Sequence, residues 1–243
     1  MKKILTIAVA ALLLTACSKN NTYTIEGSFN IPETYDLADT TLTRGPIEGY
    51  VYLINLDGSP IDSAQIVDEK FSFSGIVNPE MPYYAYLVSE YAAGMLAIEP
   101  GCIKAVVGEP FVVTGTTTND AIAKLMSDVD SIGYDFFDEL SALQDSAASP
   151  TDSTFQFAFS MLQNKYDNIV TDMVESLYEA NQENLIGVYC ANVTTVQARS
   201  ADELESLLER YSEYVRNSEL IQLHLEYLKK AESDYSGEDY LGD

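Results

Sequence analysis

From residue 23 the chain alternates apolar and polar positions, the spacing of a half-buried β-strand, whose side chains point to opposite faces in turn. Residues 23–29 alternate in this way, and residues 49–56 read as a second strand, apolar on both faces, closed by the turn pair Asp57-Gly58. The central stretch is 61–75, two β-type runs about the charged pair Asp68-Glu69. In its second run Phe71 and Phe73 point one way while Ser72 and Ser74 point the other, so the stretch is expected to be a hairpin with rings inside and hydroxyls outside. Runs at 83–90, 95–99, 103–107 and 111–115 complete the series, and the polar, turn-rich segment 30–46 is expected to be a loop. Short strands with Gly and Pro between them argue for an antiparallel β-sandwich or open barrel.

At Thr118-Asn119-Asp120 a helix start appears and the apolar period changes from 2 to 3.6. Ile122, Leu125, Met126, Val129, Ile132, Phe136, Phe137 and Leu140 form one stripe. A break at 147–150 precedes a second helix, with Ser149 as N-cap, Pro150 in the first position and Asp152 closing the box. Its stripe is Phe155, Phe159, Leu162, Tyr166, Ile169 and Met173, and it ends near residue 181. Residues 185–193 read as a short apolar helix or strand. Ser200 and Glu203 make another capping box, which opens a helix to residue 215, and a last helix is expected over 219–231. The fold class is therefore α+β, an N-terminal sandwich or barrel followed by a mostly helical C-terminal region. The expected divisions are a leader at 1–16, a tether at 17–22, β-domain at 23–117, helical region at 118–231 and a frayed acidic tail at 232–243.

Charge narrows the function. Against 38 acidic residues stand 13 basic ones, a net charge of −25. So acidic a body repels phosphate backbones and anionic membrane surfaces, which argues against nucleic-acid binding. The single histidine, His224, has no Cys or His at metal-ligand spacing, so no zinc site and no other cofactor site is expected. Tryptophan is absent and tyrosine occurs 17 times, a composition suited to half-wet β-surfaces.

The leader has its own pattern. Lys2 and Lys3 precede an apolar run from Ile4 to Leu14, too short to span a bilayer, and then comes Leu14-Thr15-Ala16-Cys17. This ending resembles the bacterial lipobox, in which cleavage precedes the cysteine and its thiol takes a diacylglyceryl group. Cys17 is thus the expected lipidation site, and several buried acyl chains hold a protein firmly in a membrane. No aspartate follows Cys17, which by known sorting rules favours the outer membrane, and no acidic cluster of the surface-export kind follows either, which leans to the periplasmic face.

The β half also resembles a known family. The cues are Tyr52-Leu53, Ile61-Asp62-Ser63-Ala64, Lys70-Phe71-Ser72-Phe73-Ser74-Gly75, Ile98-Glu99-Pro100-Gly101, and Val113-Thr114-Gly115 leading to Asn119. In this order they are similar to the domain of unknown function at the N-terminus of bacterial thiol:disulfide interchange lipoproteins of the AhpC/TSA, thioredoxin-like type. The resemblance covers about residues 23–126 and implies a thioredoxin-like partner. The W-C-x-x-C motif of the family's thioredoxin module is missing from this chain, so the redox chemistry does not carry over.

The remaining candidates are few. With Cys17 acylated, Cys102 and Cys190 either form a disulfide between the two halves or stay as two buried thiols, and the second is favoured because Cys102 follows a Pro-Gly turn and Cys190 sits in an apolar run. The stretch from Asp128 to Gly133, with Glu139 beyond it, imitates a calcium loop but offers Ile132 where an oxygen is required. Asp135 and Glu139 are like charges at i,i+4, expected on a solvated helix face. Several Asp-Ser and Asp-Thr tripeptides resemble the acceptor of bacterial O-glycosylation. Thr40 and Ser146, near expected loops, are the favoured sites, and Ser63 is disfavoured by its strand. Two functions stay open. One is a membrane-anchored, non-catalytic binding or docking module; the other is an accessory portion of a thiol–disulfide oxidoreductase. The residues set no oligomeric state.

Overall fold

Two units, Met1–Asp120 and Ala121–Asp243, divide the chain, and the computed structural model describes residues 21–32, 34–36, 41–43, 45–146 and 153–236. The first unit holds β1 (Thr22–Asn30), β2 (Thr34–Asp36), β3 (Thr41–Thr43), β4 (Tyr50–Asn55), β5 (Pro60–Gln65), β6 (Lys70–Ile76), β7 (Tyr83–Val88), β8 (Ala93–Ile98), β9 (Gly101–Gly108) and β10 (Val112–Thr114). Two four-stranded sheets result, in the orders β10-β9-β1-β6 and β5-β4-β7-β8. Their inward residues share one core. Ile25, Phe71, Phe73, Ile103 and Val107 come from the first sheet, and Val51, Leu53, Leu87, Leu96 and Ile98 from the second. Each such side chain contributes about 1.5–3 kcal/mol when fully buried.

The sandwich expected from the alternation is present, with three differences. Its strands are not all antiparallel, since β1 lies parallel to β9, Ile25 opposite Ile103. The polar segment expected to be a loop contains the short β2–β3 pair, Thr34 opposite Thr43. The third difference is the larger. Residues 61–75 are not a hairpin, because β5 pairs with β4 and β6 pairs with β1, in different sheets. The tight turn is real: Asp68 and Glu69 both adopt positive φ (50° and 58°), and Val67 and Lys70 exchange both backbone hydrogen bonds. Pairing then stops after that single bridge. Burial explains the separation, for β6 buries Phe71 and Phe73 while no residue of β5 is fully buried.

Strand β4 is also one-sided. Val51 and Leu53 are buried, whereas Tyr50 and Tyr52 stand about half exposed. In the β1–β6 pair, aromatic rings cover glycines: Phe71 opposite Gly27 and Tyr23 opposite Gly75. A Cβ on Gly27 would fall 1.9 Å from Cζ of Phe71, so only glycine admits the ring there.

The second unit is helical, and α1 (Thr117–Ser146) enters it within its first turn. Asn119, near the helix start, is buried in the first unit. Its Oδ1 accepts from Ala97 N (2.9 Å) and its Nδ2 donates to Ala97 O (2.9 Å) and Thr116 Oγ1 (2.8 Å). Helix α2 (Ser153–Glu179) runs antiparallel to α1, since Leu125 packs with Val174 at one level and Phe136 meets the Tyr166 ring further along. The cap expected at Ser149, Pro150 and Asp152 lies outside the described residues.

Residues 185–193 resolve to helix. Asn184 caps α3 (Leu185–Thr195), its Oδ1 accepting from Ile186 N and Gly187 N. The expected helix to residue 215 is broken into α4 (Ala201–Leu208) and α5 (Glu213–Arg216). Ser212 makes the break: its Oγ accepts from Val215 N (3.2 Å) and donates to Gln182 O (2.6 Å). At the capping box Ser200 Oγ accepts from Glu203 N, but Glu203 Oε2 reaches past Ser200 to accept from Arg199 N (2.8 Å). Helix α6 (Glu219–Ser236) outruns its expected end, and Glu232, read as frayed tail, accepts from Ala201 N (2.7 Å) at the start of α4. Val188, Leu204, Val215 and Ile221 are fully buried.

A candidate polar pocket in the helical unit

Where α2, α3 and the turn after α4 meet, a cavity of about 320 Å³ opens, lined by Val174, Glu175, Tyr178, Glu179, Gln182, Thr194, Arg210 and Tyr211. That volume lies at the lower end of small-ligand sites. Elementary chemistry orders its hydrogen bonds, because a guanidinium can only donate. Arg210 donates through Nη2 to the Tyr211 hydroxyl (2.8 Å) and through Nη1 to Glu175 Oε1 (3.0 Å). Tyr211, accepting from Arg210, turns its own hydrogen to Thr194 Oγ1, and Thr194 donates to Ala191 O (2.9 Å). A directed chain thus runs from cation to helix backbone. Tyr178 packs edge-on against Tyr211, ring centroids 4.7 Å apart, and its hydroxyl accepts from Ser212 N (2.9 Å).

Electrostatically the pocket keeps a surplus of negative charge. Glu175 neutralises Arg210, while Glu179 lies beside them and Gln182 donates to its backbone carbonyl rather than to its carboxylate. The Tyr211 ring already carries the Arg210 guanidinium, 4.9 Å from its centroid, so an organic cation here gains from the Tyr178 ring and from the Glu179 carboxylate, which no cation neutralises among the described residues. Because Tyr211 and Arg210 already hold one another, the surface is in place before any ligand arrives.

The residues singled out from sequence lie elsewhere. Cys17 and Thr40 fall outside the described residues. Cys102 is half-buried on β9 opposite Thr24. Cys190 is a free, fully buried thiol on α3 among Leu125, Val174 and Ile186, so the Cys102–Cys190 bond is not formed. Burial pushes its pKa up to about 11, which leaves it protonated and a poor nucleophile at neutral pH. Ser146 is the last residue of α1, its hydroxyl donating to Leu143 O (2.8 Å), and the loop expected beside it lies outside the described residues. Ser63 lies in β5 as expected, yet is exposed there, so strand burial is no argument against its modification. Asp128, from the imitated calcium loop, sits within α1 and accepts from Lys124 (2.6 Å).

Asp135 and Glu139 lie exposed on α1 as expected, and Glu139 has a further role. It accepts from Lys165 Nζ (2.6 Å) and from the Tyr166 hydroxyl (2.9 Å) and ties α1 to α2. The bond from Lys165, then that from Tyr166, hold its carboxyl below the usual range. His224 lies on α6 with a buried Nδ1 that has no hydrogen-bond partner.

Arg210, Tyr211, Tyr178 and Thr194 form no motif, and sequence reasoning missed them. The legible signal was a lone cation after an amphipathic acidic helix, directly followed by tyrosine and the N-capping Ser212.

Comparison with known proteins matches two stretches of the chain. Residues 23–122 match the family described as Domain of unknown function (DUF4369), and residues 1–18 match the prokaryotic membrane lipoprotein lipid attachment site. No curated protein and no solved structure matches the chain. The attachment site supports anchoring in a membrane through lipid at Cys17. Among the described residues, no helix is long and apolar enough to cross a membrane.

Proposed function

We propose that the chain is a non-catalytic binding module held by lipid on the periplasmic face of the outer membrane, with the Arg210 pocket as its ligand site. The observation that carries this reading is the pre-formed polar chain from Arg210 through Tyr211 and Thr194, beside the unneutralised carboxylate of Glu179. Its ligand class is a small amine or a basic side chain of a peptide, favoured by the local charge and by the net charge of −25. The absence of aspartate after Cys17 supports the outer membrane over the inner.

Titration with lysine amide and arginine amide, followed residue by residue by NMR, tests the reading. Saturable shifts at Tyr178, Gln182, Thr194 and Tyr211, lost in Glu179→Gln, are expected. Linear shifts spread over the whole acidic surface would contradict it.

A second reading, an accessory portion of a thiol–disulfide oxidoreductase, draws support from the overlap between the matched residues 23–122 and the family resemblance of the β half. The chain alone should leave insulin disulfides unreduced, and thiol-dependent turnover by it would overturn the non-catalytic assignment.

A further inference from the structure

The lipid anchor and the sandwich are joined by very little chain. Only three residues separate Cys17 from Asn21, whose carbonyl already accepts from Val77 N (2.9 Å) at the edge of the first sheet. Even fully extended, that tether reaches about 14 Å. The acyl chains fix Cys17 at the headgroup level, and the headgroup layer itself is about 5–8 Å deep on each side of a bilayer. The end of the sandwich at which β1 begins is therefore held within a few water layers of the lipid.

That same end carries unpartnered apolar side chains. Along the outer face of β6, Ser72 and Ser74 occupy the solvent positions, but the next outward position is Ile76, opposite Thr22 and 76% exposed. The turn that follows presents Met81, 71% exposed, its N–H donating to Asn78 O (2.9 Å). Glu80 lies beside Met81, its own N–H donating to Asn78 Oδ1 (3.1 Å), and a carboxylate there keeps this end at headgroup depth rather than in the hydrocarbon.

We propose that Ile76 and Met81 form a membrane-contact surface, inserting at the headgroup–acyl boundary of the bilayer in which Cys17 is anchored. The two side chains fix how the sandwich stands on the membrane, with β1 and β6 rising away from it. The far end of β6, where Val67 is 60% exposed beside Lys70, then stands about 20 Å higher. This inference rests on the lipid anchor and not on the proposed ligand site.

The lack of any native tryptophan makes the test direct. Ile76→Trp, Met81→Trp and Val67→Trp each place a single tryptophan at an exposed position of the full lipidated chain, bound to phosphatidylcholine vesicles whose acyl chains are brominated. The expected result is blue-shifted emission and several-fold stronger bromine quenching at 76 and 81 than at 67. Equal, water-like emission at all three positions would overturn the proposal. A blue shift at 76 and 81 without bromine quenching would also overturn it, assigning the surface to another protein copy. Flotation with the vesicles is read first. A chain that fails to float overturns the anchor and the contact together, whereas one that floats with unquenched tryptophans overturns the contact alone.

Discussion

The sandwich and the helical unit bury their apolar residues in different ways, and the difference accounts for where a binding surface can form. In the sandwich two sheets face each other, so every inward position along β1, β6 and β9 meets a partner and one continuous core results. Among the described residues, α3 closes the α1–α2 pair near Leu125 and Val174. Further along, Tyr134, Phe137, Phe157 and Met161 remain well exposed, and polar ties such as Glu139 to Lys165 hold the helices together. A wide apolar stripe needs neighbours on more than one side, and two helices alone cover only part of it. The helical unit thus keeps polar junctions between its helices, the Arg210 pocket among them, whereas the sandwich keeps its open space outside the core, in a groove of about 600 Å³ lined by Ser63, Gln65, Lys70 and Ser72.

The largest test of this contrast is Phe73→Ala. Removing a ring that is 4% exposed in a continuous core should cost about 3–5 kcal/mol by denaturant unfolding. Phe137→Ala, at a residue 63% exposed on α1, should change stability by no more than about 0.5 kcal/mol. A large loss there would show that the exposed stripe is covered. Next comes Asn119→Ala, which strips both hydrogen bonds from the buried backbone of Ala97 and should cost about 1–3 kcal/mol. Ser200→Ala removes the N-cap of α4 and should cost about 1 kcal/mol, read by thermal unfolding.

The smallest effect concerns pH. Glu139 is held below its ordinary value of 4.5, so its bonds to Lys165 and Tyr166 stabilise the fold fully above that value and are lost as pH falls through the lowered one. The Tm difference between the native chain and Glu139→Gln should therefore shrink on acidification below pH 4.5. A difference that stays constant or grows would contradict the tie.

Most strands and helices were legible because they obey local rules, but of the caps at Asn184, Ser200 and Ser212 only Ser200 was. The alternation in Phe71-Ser72-Phe73-Ser74 marked β6, and Ser200 with Glu203 marked the start of α4. Strand partnership was not. Asp68-Glu69 forms the tight turn that a hairpin requires, yet the choice of β1 as the partner of β6 is made by the fit of Phe71 on Gly27, residues far apart in the chain. The helix break at Ser212 was hidden for the same reason, since its second partner is the carbonyl of Gln182, 30 residues away. The pocket shares this character. Its groups come from α2, α3 and the turn after α4, and only packing brings them together.

A hydrogen-exchange map of the lipidated chain, in detergent and on vesicles, with and without arginine amide, tests most directly the division between a mounting sandwich and a binding helical unit. The account predicts vesicle-dependent protection confined to residues 75–81 and amide-dependent protection confined to 174–182, 194 and 208–212. Protection of the sandwich by the amide, or of the helical segments by the vesicles, would contradict it.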